Sequence, residues 1–274
     1  MKTALIPPIP HLEEAKGREY HLTLAHLVET SPYYQAFYLS EAAQGSYVIL
    51  DNSAHENSHG QPIAKLLELA PKVGAREIVI PDKLFDWKET VISACDTFQY
   101  LSEYYEDHPS PYRWMFVPQG HDEQEWRICL EELVGLISDT YKTRPSLLSQ
   151  GFTLGLSKDF EVWSGGLLFL ITKYLLPLRE KHGCDIHLLG WGRKLWALKA
   201  INDNVGDQIR SIDSAKPVVY AFSEISLNPN CMIIPPYPKR SETYFEDILT
   251  EKQLEIARHN ISVFDSITRE RDHD

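Results

Sequence analysis

The chain has 274 residues, 43% hydrophobic and 24% charged, enough to bury a sizeable core in one large domain or two small ones. Its net charge of −12 excludes a broad basic footprint, so any polyanionic partner must be held by a local basic patch. No apolar run reaches the ~18 residues of a membrane helix, and the start MKTALIPPIPHLEE lacks the apolar region of a secretory signal. Cys95, Cys129, Cys184 and Cys231 form no CxxC pair that would suggest zinc or redox chemistry, so reduced thiols in a cytoplasmic protein are expected.

Residues 1–20 read as an N-terminal arm. Short apolar runs then recur, each ending in polar or small residues: HLTLAHL (21–27), YVILD (47–51), EIVIPD (77–82), RWMFVPQG (113–120), FTLGLSK (152–158), DIHLLGWG (185–192) and IRSID (209–213). PVVYAF (217–222) or CMII (231–234) supplies an eighth. Helical spacing lies between them, with Ile63, Leu66, Leu67 and Ala70 on one face, then Trp126, Cys129, Leu130, Leu133 and Ile137, then Leu167, Leu170, Ile171, Tyr174 and Leu175. These stripes are core. Residues 229–250 are proline-rich and extended, a last helix covers 251–265, and the tail RERDHD frays. Successive strand ends lie roughly 30–40 residues apart, the length of a βαβ unit. Strands alternating with helices make a parallel sheet, and seven or eight units make a (β/α)8 barrel in a single domain over 1–274. An open doubly wound sheet is the alternative, but no GxGxxG follows the first strand.

A barrel of this class places its chemistry at the C-terminal strand ends. Those positions hold Asp51, Asp82, Gln119-Gly120, Lys158, Gly190-Trp191-Gly192 and Asp213. One aspartate after a strand commonly caps the next helix. Three at consistent strand ends, with few charges inside the strands, point to a shared site in which crowding raises at least one pKa. His55-Glu56-Asn57-Ser58-His59 matches HExxH, but that chemistry needs a helix, and Gly60-Gln61-Pro62 favours a loop. No metal site is expected. His21 and His26, five apart on the first strand, face opposite sides. Trp191, between two glycines, is a better stacking candidate than Trp196.

In order, LDNSAHE, IPDKLFD, MFVPQG, TLGLSK, HLLGWG and RSIDSAKP resemble the tRNA-guanine transglycosylase superfamily, and most closely the phage DNA-guanine transglycosylases. The resemblance spans most of residues 5–222. It implies that Asp213 is a nucleophile and Asp51 a general acid/base. It also implies that Asp82 reads the guanine edge and that Gln119 and Gly120 contact the base. Gly155 and Leu156 would line the base pocket by their backbone, and Leu189 would lie against the ring. Asn52 follows the acid/base where the family has serine, and Ser53-Ala54 replace a glycine pair, which alters the local loop contacts. The three clustered cysteines and histidine of the tRNA enzymes' C-terminal zinc site are missing, since only Cys231 lies in that region.

The implied reaction exchanges guanine in DNA for a free, preQ0-like 7-deazaguanine through a covalent aspartyl–sugar intermediate, with no cofactor. The target base must be flipped or single-stranded. Lys158, Arg193, Lys194 and Lys216 could meet phosphates, whereas Lys239-Arg240 read as solvated surface cations. The expected partners are DNA and the free base, with no membrane, in the host cytoplasm if the chain is phage-encoded. Three alternatives stand beside this reading. One is the same exchange on tRNA, disfavoured by the short C-terminus. Another is a metal-dependent barrel hydrolase built on His21 or His26, His55, His187 and the aspartates. The last is a catalytically silent barrel, against which two retained carboxylates, Asp51 and Asp213, argue.

Overall fold

The structure, a computed structural model, describes residues 1–106, 108–163, 165–190, 194–228 and 238–268. Trp191, Gly192, Arg193 and the CMII run with Cys231 lie outside the described residues. Eight strands form one parallel sheet: β1 (Lys2–Leu5), β2 (Tyr20–Leu24), β3 (Tyr47–Asp51), β4 (Glu77–Val79), β5 (Arg113–Phe116), β6 (Phe152–Ser157), β7 (Asp185–Leu189) and β8 (Ser211–Ser214). Their order is β1-β8-β7-β6-β5-β4-β3-β2, and β1 and β2 lie side by side, so the sheet curls into a nearly closed (β/α)8 barrel. Helices between the strands form the outer layer. They are α1 (Ala25–Thr30), α2 (Pro32–Ala43), α3 (Ala54–Asn57), α4 (Ile63–Leu69), α5 (Trp87–Tyr105), α6 (Glu123–Thr143), α7 (Gly166–Leu170), α8 (Leu176–His182), α9 (Leu195–Val205), α10 (Lys216–Phe222) and α11 (Glu251–Thr268).

Two expectations are corrected. The eighth strand comes from the supposed arm, because Lys2–Leu5 pairs with β8, Ala4 opposite Asp213. Four residues are too few to show a period. PVVYAF is not a strand but most of α10, with Pro217 in its first turn, where a missing N–H costs nothing. Its β-branched pair Val218-Val219 is buried against α11 and Leu5, so tertiary packing overrides strand propensity. Several strands, β4 among them, also stop earlier than their apolar runs do. Beyond Val79 the chain stays extended and Ile80 N–H still donates to Met115 O at 2.8 Å, but Pro81 has no donor to continue the ladder.

Strand alternation sorts the residues. Val48, Leu50, Ile78, Trp114, Phe116, Leu154, Leu156, Ile186 and Ile212 point outward and are sealed beneath the helices. α6 meets them with Trp126, Cys129, Leu130, Leu133 and Ile137. Inside the barrel the floor is polar. Glu77, fully buried at the start of β4, accepts from Tyr47 OH at 2.7 Å and pairs with Arg210 at 2.7 Å. Arg210 also reaches Asp185 at 3.3 Å, which Arg113 holds at 3.0 Å. Both arginines donate to Thr153 Oγ1. The rings of Tyr20 and Tyr47 stack 5.0 Å apart beside the Arg210 guanidinium. Burial alone would push Glu77 up, but the Arg210 charge and the hydrogen bonds from Arg210, Thr153 and Tyr47 together outweigh it and hold the carboxyl below the ordinary range. Leu22, Ile49, Val79 and Met115, on the same faces as the floor residues, fill the layer above.

A second, smaller core joins α10 and α11 through Val218, Val219, Ala257 and Ile261, with Leu5, Tyr244 and Leu249. Tyr244 OH donates to Ile6 O at 2.7 Å. The described end of the proline-rich segment, residues 238–249, is thereby pinned near the C-terminal ends of the strands.

Replacing Arg210 by Met leaves Glu77 buried without its cation. Such a removal is expected to cost about 3–5 kcal/mol, read from urea unfolding of the variant against wild type. A cost below about 1 kcal/mol would show that the floor network does not hold the barrel.

Candidate active site

A cavity of about 710 Å³ opens at the C-terminal ends of the strands. Asp51, Asp82 and Asp213 all line it. β3 delivers Asp51 because Tyr47, Ile49 and Asp51 share the inward face of the strand. The chain then turns sharply, with Ser53 in the left-handed region at φ 61°. That turn brings Ser53 N–H to Asp51 Oδ1 at 2.7 Å and Ala54 N–H to Asn52 Oδ1 at 2.8 Å. Ser53 is fully buried, and its hydroxyl meets His26 Nδ1 at 2.9 Å.

The three carboxylates live in different surroundings. Asp82 accepts from Asn52 Nδ2 at 2.7 Å on one oxygen and from Gln119 Nε2 at 2.6 Å on the other. Burial pushes its carboxyl up to about 6, and the two amides keep it from rising further. Asn52 Nδ2 also reaches Ile80 O, and Gln119 Oε1 accepts from Phe85 N–H, so both amides are fixed. Asp51 touches the cavity with part of its surface while protein packs the rest. Burial raises its pKa well above the ordinary value, Glu56, Asp82 and Asp213 add to the rise, and the Ser53 amide draws back only part of it. Asp213 Oδ1 faces two donors, His187 Nε2 at 3.1 Å and Gly190 N–H at 3.0 Å.

The rim carries charge of both signs. Lys158, Lys216, Lys239 and Arg240 line the cavity, as do Glu56, Asp159 and Glu242. Arg240 pairs with Glu56 at 2.7 Å and lies over the Phe245 ring, 4.8 Å from its centre. Burial pushes the Glu56 carboxyl up, but the His55 hydrogen bond and the Arg240 charge prevail and hold it at about 2. Lys216 Nζ donates to Pro238 O at 3.1 Å. Gly190 adopts φ 68°, a left-handed conformation that favours glycine, and a Cβ there would meet the movable end of Lys158, 2.9 Å from its Nζ.

Asp51, Asn52, Asp82, Gln119, Leu189, Lys158, Asp213 and Lys216 are therefore brought to one cavity. Gly120, Gly155, Leu156 and Lys194 are not among the residues lining it. A Cβ on Gly120 would sit 2.3 Å from Trp126 N, so this glycine lets α6 start against the strand end. Gly155 packs beneath Leu189 and Val117, where a Cβ would meet each at 3.0 Å. Leu156 alternates outward into the core. Lys194 lies 4.0 Å from Glu161 and over Trp196. Arg193 is outside the described residues.

Arg240 is no solvated surface cation but a member of the rim, and no local pattern marks it. Its partner Glu56 sits inside the HExxH sequence. Only its first three residues, His55 to Asn57, belong to the single helical turn α3 between left-handed Ser53 and Ser58, and His59 lies beyond the turn in a bridge to Lys83. Among the described residues no three His, Cys, Asp or Glu side chains are placed to hold a metal ion. His21 faces outward, buried 3.3 Å from Glu41, while His26 is not on the strand as expected but in the first turn of α1, and lines the cavity. His187 stands fully buried behind Asp213. Its place in the strand alternation, two residues before Leu189, put it on the inward face.

Fold and site together define a (β/α)8 barrel with a carboxylate-lined cavity at the strand ends. No family model and no curated protein matches the chain. Among solved structures it is similar to one described as a “putative dehydratase” from Mesorhizobium loti, at 11% identity and TM-score 0.47 over 77% of this chain and 54% of that one. It is also similar to the oxidised form of the homocysteine methyltransferase MmuM from Escherichia coli, at 11% identity and TM-score 0.41 over 75% of this chain and 77% of that one. The chain thus spans about half the length of the first. Neither likeness bears on the chemistry of the site. No described helix is long and apolar enough to cross a membrane.

Gly120→Ala is expected to destabilise the protein by about 1–3 kcal/mol through overpacking at the start of α6, while leaving the affinity for a cavity ligand unchanged in the folded fraction. Thermal unfolding and calorimetric titration check both. Lost affinity at unchanged stability would return Gly120 to the binding surface.

Proposed function

We propose that the chain is a base-exchange transglycosylase that replaces guanine in DNA with a free 7-deazaguanine. The observation that carries this reading is the convergence of Asp51, Asp82 and Asp213, from the ends of β3, β4 and β8, on one cavity. A cavity of about 710 Å³ has room for a nucleoside. The choice of guanine and of DNA rests on the ordered strand-end motifs. The rim cations Lys158, Lys216 and Lys239 add places for phosphates.

The chemistry divides among the carboxylates. A free oxygen of Asp213 attacks C1′ of the sugar. The bond from C1′ to the base nitrogen breaks, and its electron pair leaves with guanine. Asp51, whose raised pKa keeps a proton at hand, delivers that proton to the departing base. The incoming deazaguanine then attacks C1′ through its own ring nitrogen and gives that nitrogen's proton to Asp51. The ester to Asp213 breaks and the enzyme is restored. Two displacements at one carbon retain its configuration. Asp82 reads the base. Each of its oxygens already accepts one amide, and a carboxylate has about four acceptor sites, so capacity remains for N–H groups of a purine.

Two outcomes are expected. Wild-type protein given guanine-containing DNA and a labelled 7-deazaguanine incorporates label, and denaturation traps a protein–DNA adduct that vanishes in Asp213→Asn. An adduct that persists in the variant removes the nucleophile, and label entering tRNA but no DNA moves the substrate to RNA. Affinity for the free base, measured by calorimetry, should fall as pH drops through about 6, where Asp82 takes up a proton and stops accepting. Asp82→Asn should flatten that profile, and a wild-type profile already flat from pH 5 to 8 would remove Asp82 as the reader.

A further inference from the structure

Asp213 is not held by an isolated contact. Behind it runs a line of hydrogen bonds through the barrel interior. Arg210 Nε lies 3.2 Å from Ser211 Oγ. Ser211 Oγ lies 2.8 Å from His187 Nδ1. His187 Nε2 lies 3.1 Å from Asp213 Oδ1. Adjacent strands make the line possible, because His187 and Ser211 face each other across β7 and β8. His187, Ser211 and Asp213 are each buried.

The direction of the line follows from what each group can do. A guanidinium only donates, so Ser211 Oγ receives from Arg210. The Asp213 carboxylate at the other end only accepts, so Nε2 carries the proton of the neutral ring and Nδ1 takes the hydroxyl proton of Ser211. An Nδ1 that accepts leaves the ring proton on Nε2, which donates to Asp213 Oδ1. Gly190 N–H donates to the same oxygen at 3.0 Å. Among the described residues no hydrogen bond reaches Asp213 Oδ2. One oxygen is tied by two donors and the other is left for the cavity.

We propose that His187 is a positioning residue for Asp213. Ser211 and Arg210 hold it as the Nε2–H tautomer, and it ties down Oδ1 so that Oδ2 is the oxygen offered to substrate. The hydrogen-bond arrangement stands on geometry alone, and the attacking role of Oδ2 rests on the transglycosylase reading above. The arrangement inverts the better-known one in which a carboxylate sets the tautomer of a catalytic histidine. Here a serine and an arginine set the histidine, and the histidine aims the carboxylate.

Two measurements test the proposal separately from the function. In protein labelled with 15N-histidine, two-dimensional 15N–1H NMR should show one ring, assigned by its absence in His187→Gln, in the Nε2–H form. Its Nε2 proton signal should shift in Asp213→Ala, and the ring should lose its single tautomer in Ser211→Ala. An Nδ1–H pattern in wild type, or a ring indifferent to both changes, overturns the proposal whatever reaction the protein performs. The second measurement is the rate of adduct formation on guanine-containing DNA. His187→Leu should slow it about 100-fold while base affinity stays the same, and His187→Gln, which keeps an N–H donor near Nε2, should stay within about 10-fold of wild type. Equal rates in Leu and Gln variants, or base affinity lost in step with rate, would reduce His187 to a packing residue. If His187→Leu does not fold, Ser211→Ala carries the kinetic arm, with slower adduct formation at unchanged base affinity expected and an unchanged rate counting against the proposal. Wild-type protein that forms no adduct would sink the transglycosylase reading and leave the tautomer result to decide the arrangement.

Discussion

The buried pair of Arg210 and Glu77 at the barrel floor is the interaction on which the interior depends. Two opposite charges removed from water cost heavily unless each finds further partners. Here Tyr47 serves Glu77, while Thr153, Asp185 and Ser211 serve Arg210. The pair links β4 to the start of β8, on the far side of the sheet, so it also joins distant parts of the barrel wall. The guanidinium faces upward through Ser211, and that single direction gives the strand ends above it an oriented line of donors.

The cavity above exploits a general rule: carboxylates crowded together take different roles when their surroundings differ. Asp82 has an amide on each oxygen and few charges against it, which suits a fixed acceptor. Asp51 has one backbone donor, protein packed around most of it and three like charges nearby, which favours carrying a proton. Asp213 has one oxygen tied from behind by a ring and a backbone amide, which suits a group whose direction matters. Three identical side chains are thus made unlike by their neighbours, and each neighbour comes from a different strand or turn.

The mouth is finished by a segment distant in sequence. The second core holds Tyr244 and Leu249 against α10 and α11, and this sets Arg240 beside Glu56 and Phe245 at the rim. The rim thus mixes Lys158, Lys216, Lys239 and Arg240 with Glu56, Asp159 and Glu242, in a chain whose net charge is −12.

Much of this was legible from the residues in order. Period-two alternation and strand-end position are local properties, so the barrel, seven of its strands and the shared cavity for Asp51, Asp82 and Asp213 could be read directly. Other features had no local signal. Lys2–Leu5 is too short to show a period, and it becomes a strand only because β8 and β2 leave a gap for it. Val218-Val219 favours a strand and is helical because α11 covers it. Gly120 reads as a base contact in the sequence, but it is not among the residues lining the cavity and lies against the start of a helix that only the folded chain brings near. Arg240 and Glu56 are 184 residues apart. His187 gains its meaning from Ser211 across a strand pair. The sequence by itself determined which side chains face inward, because that follows from backbone geometry. Tertiary structure alone decided which of them touch, because contact between strands depends on register and closure, and no single segment encodes either.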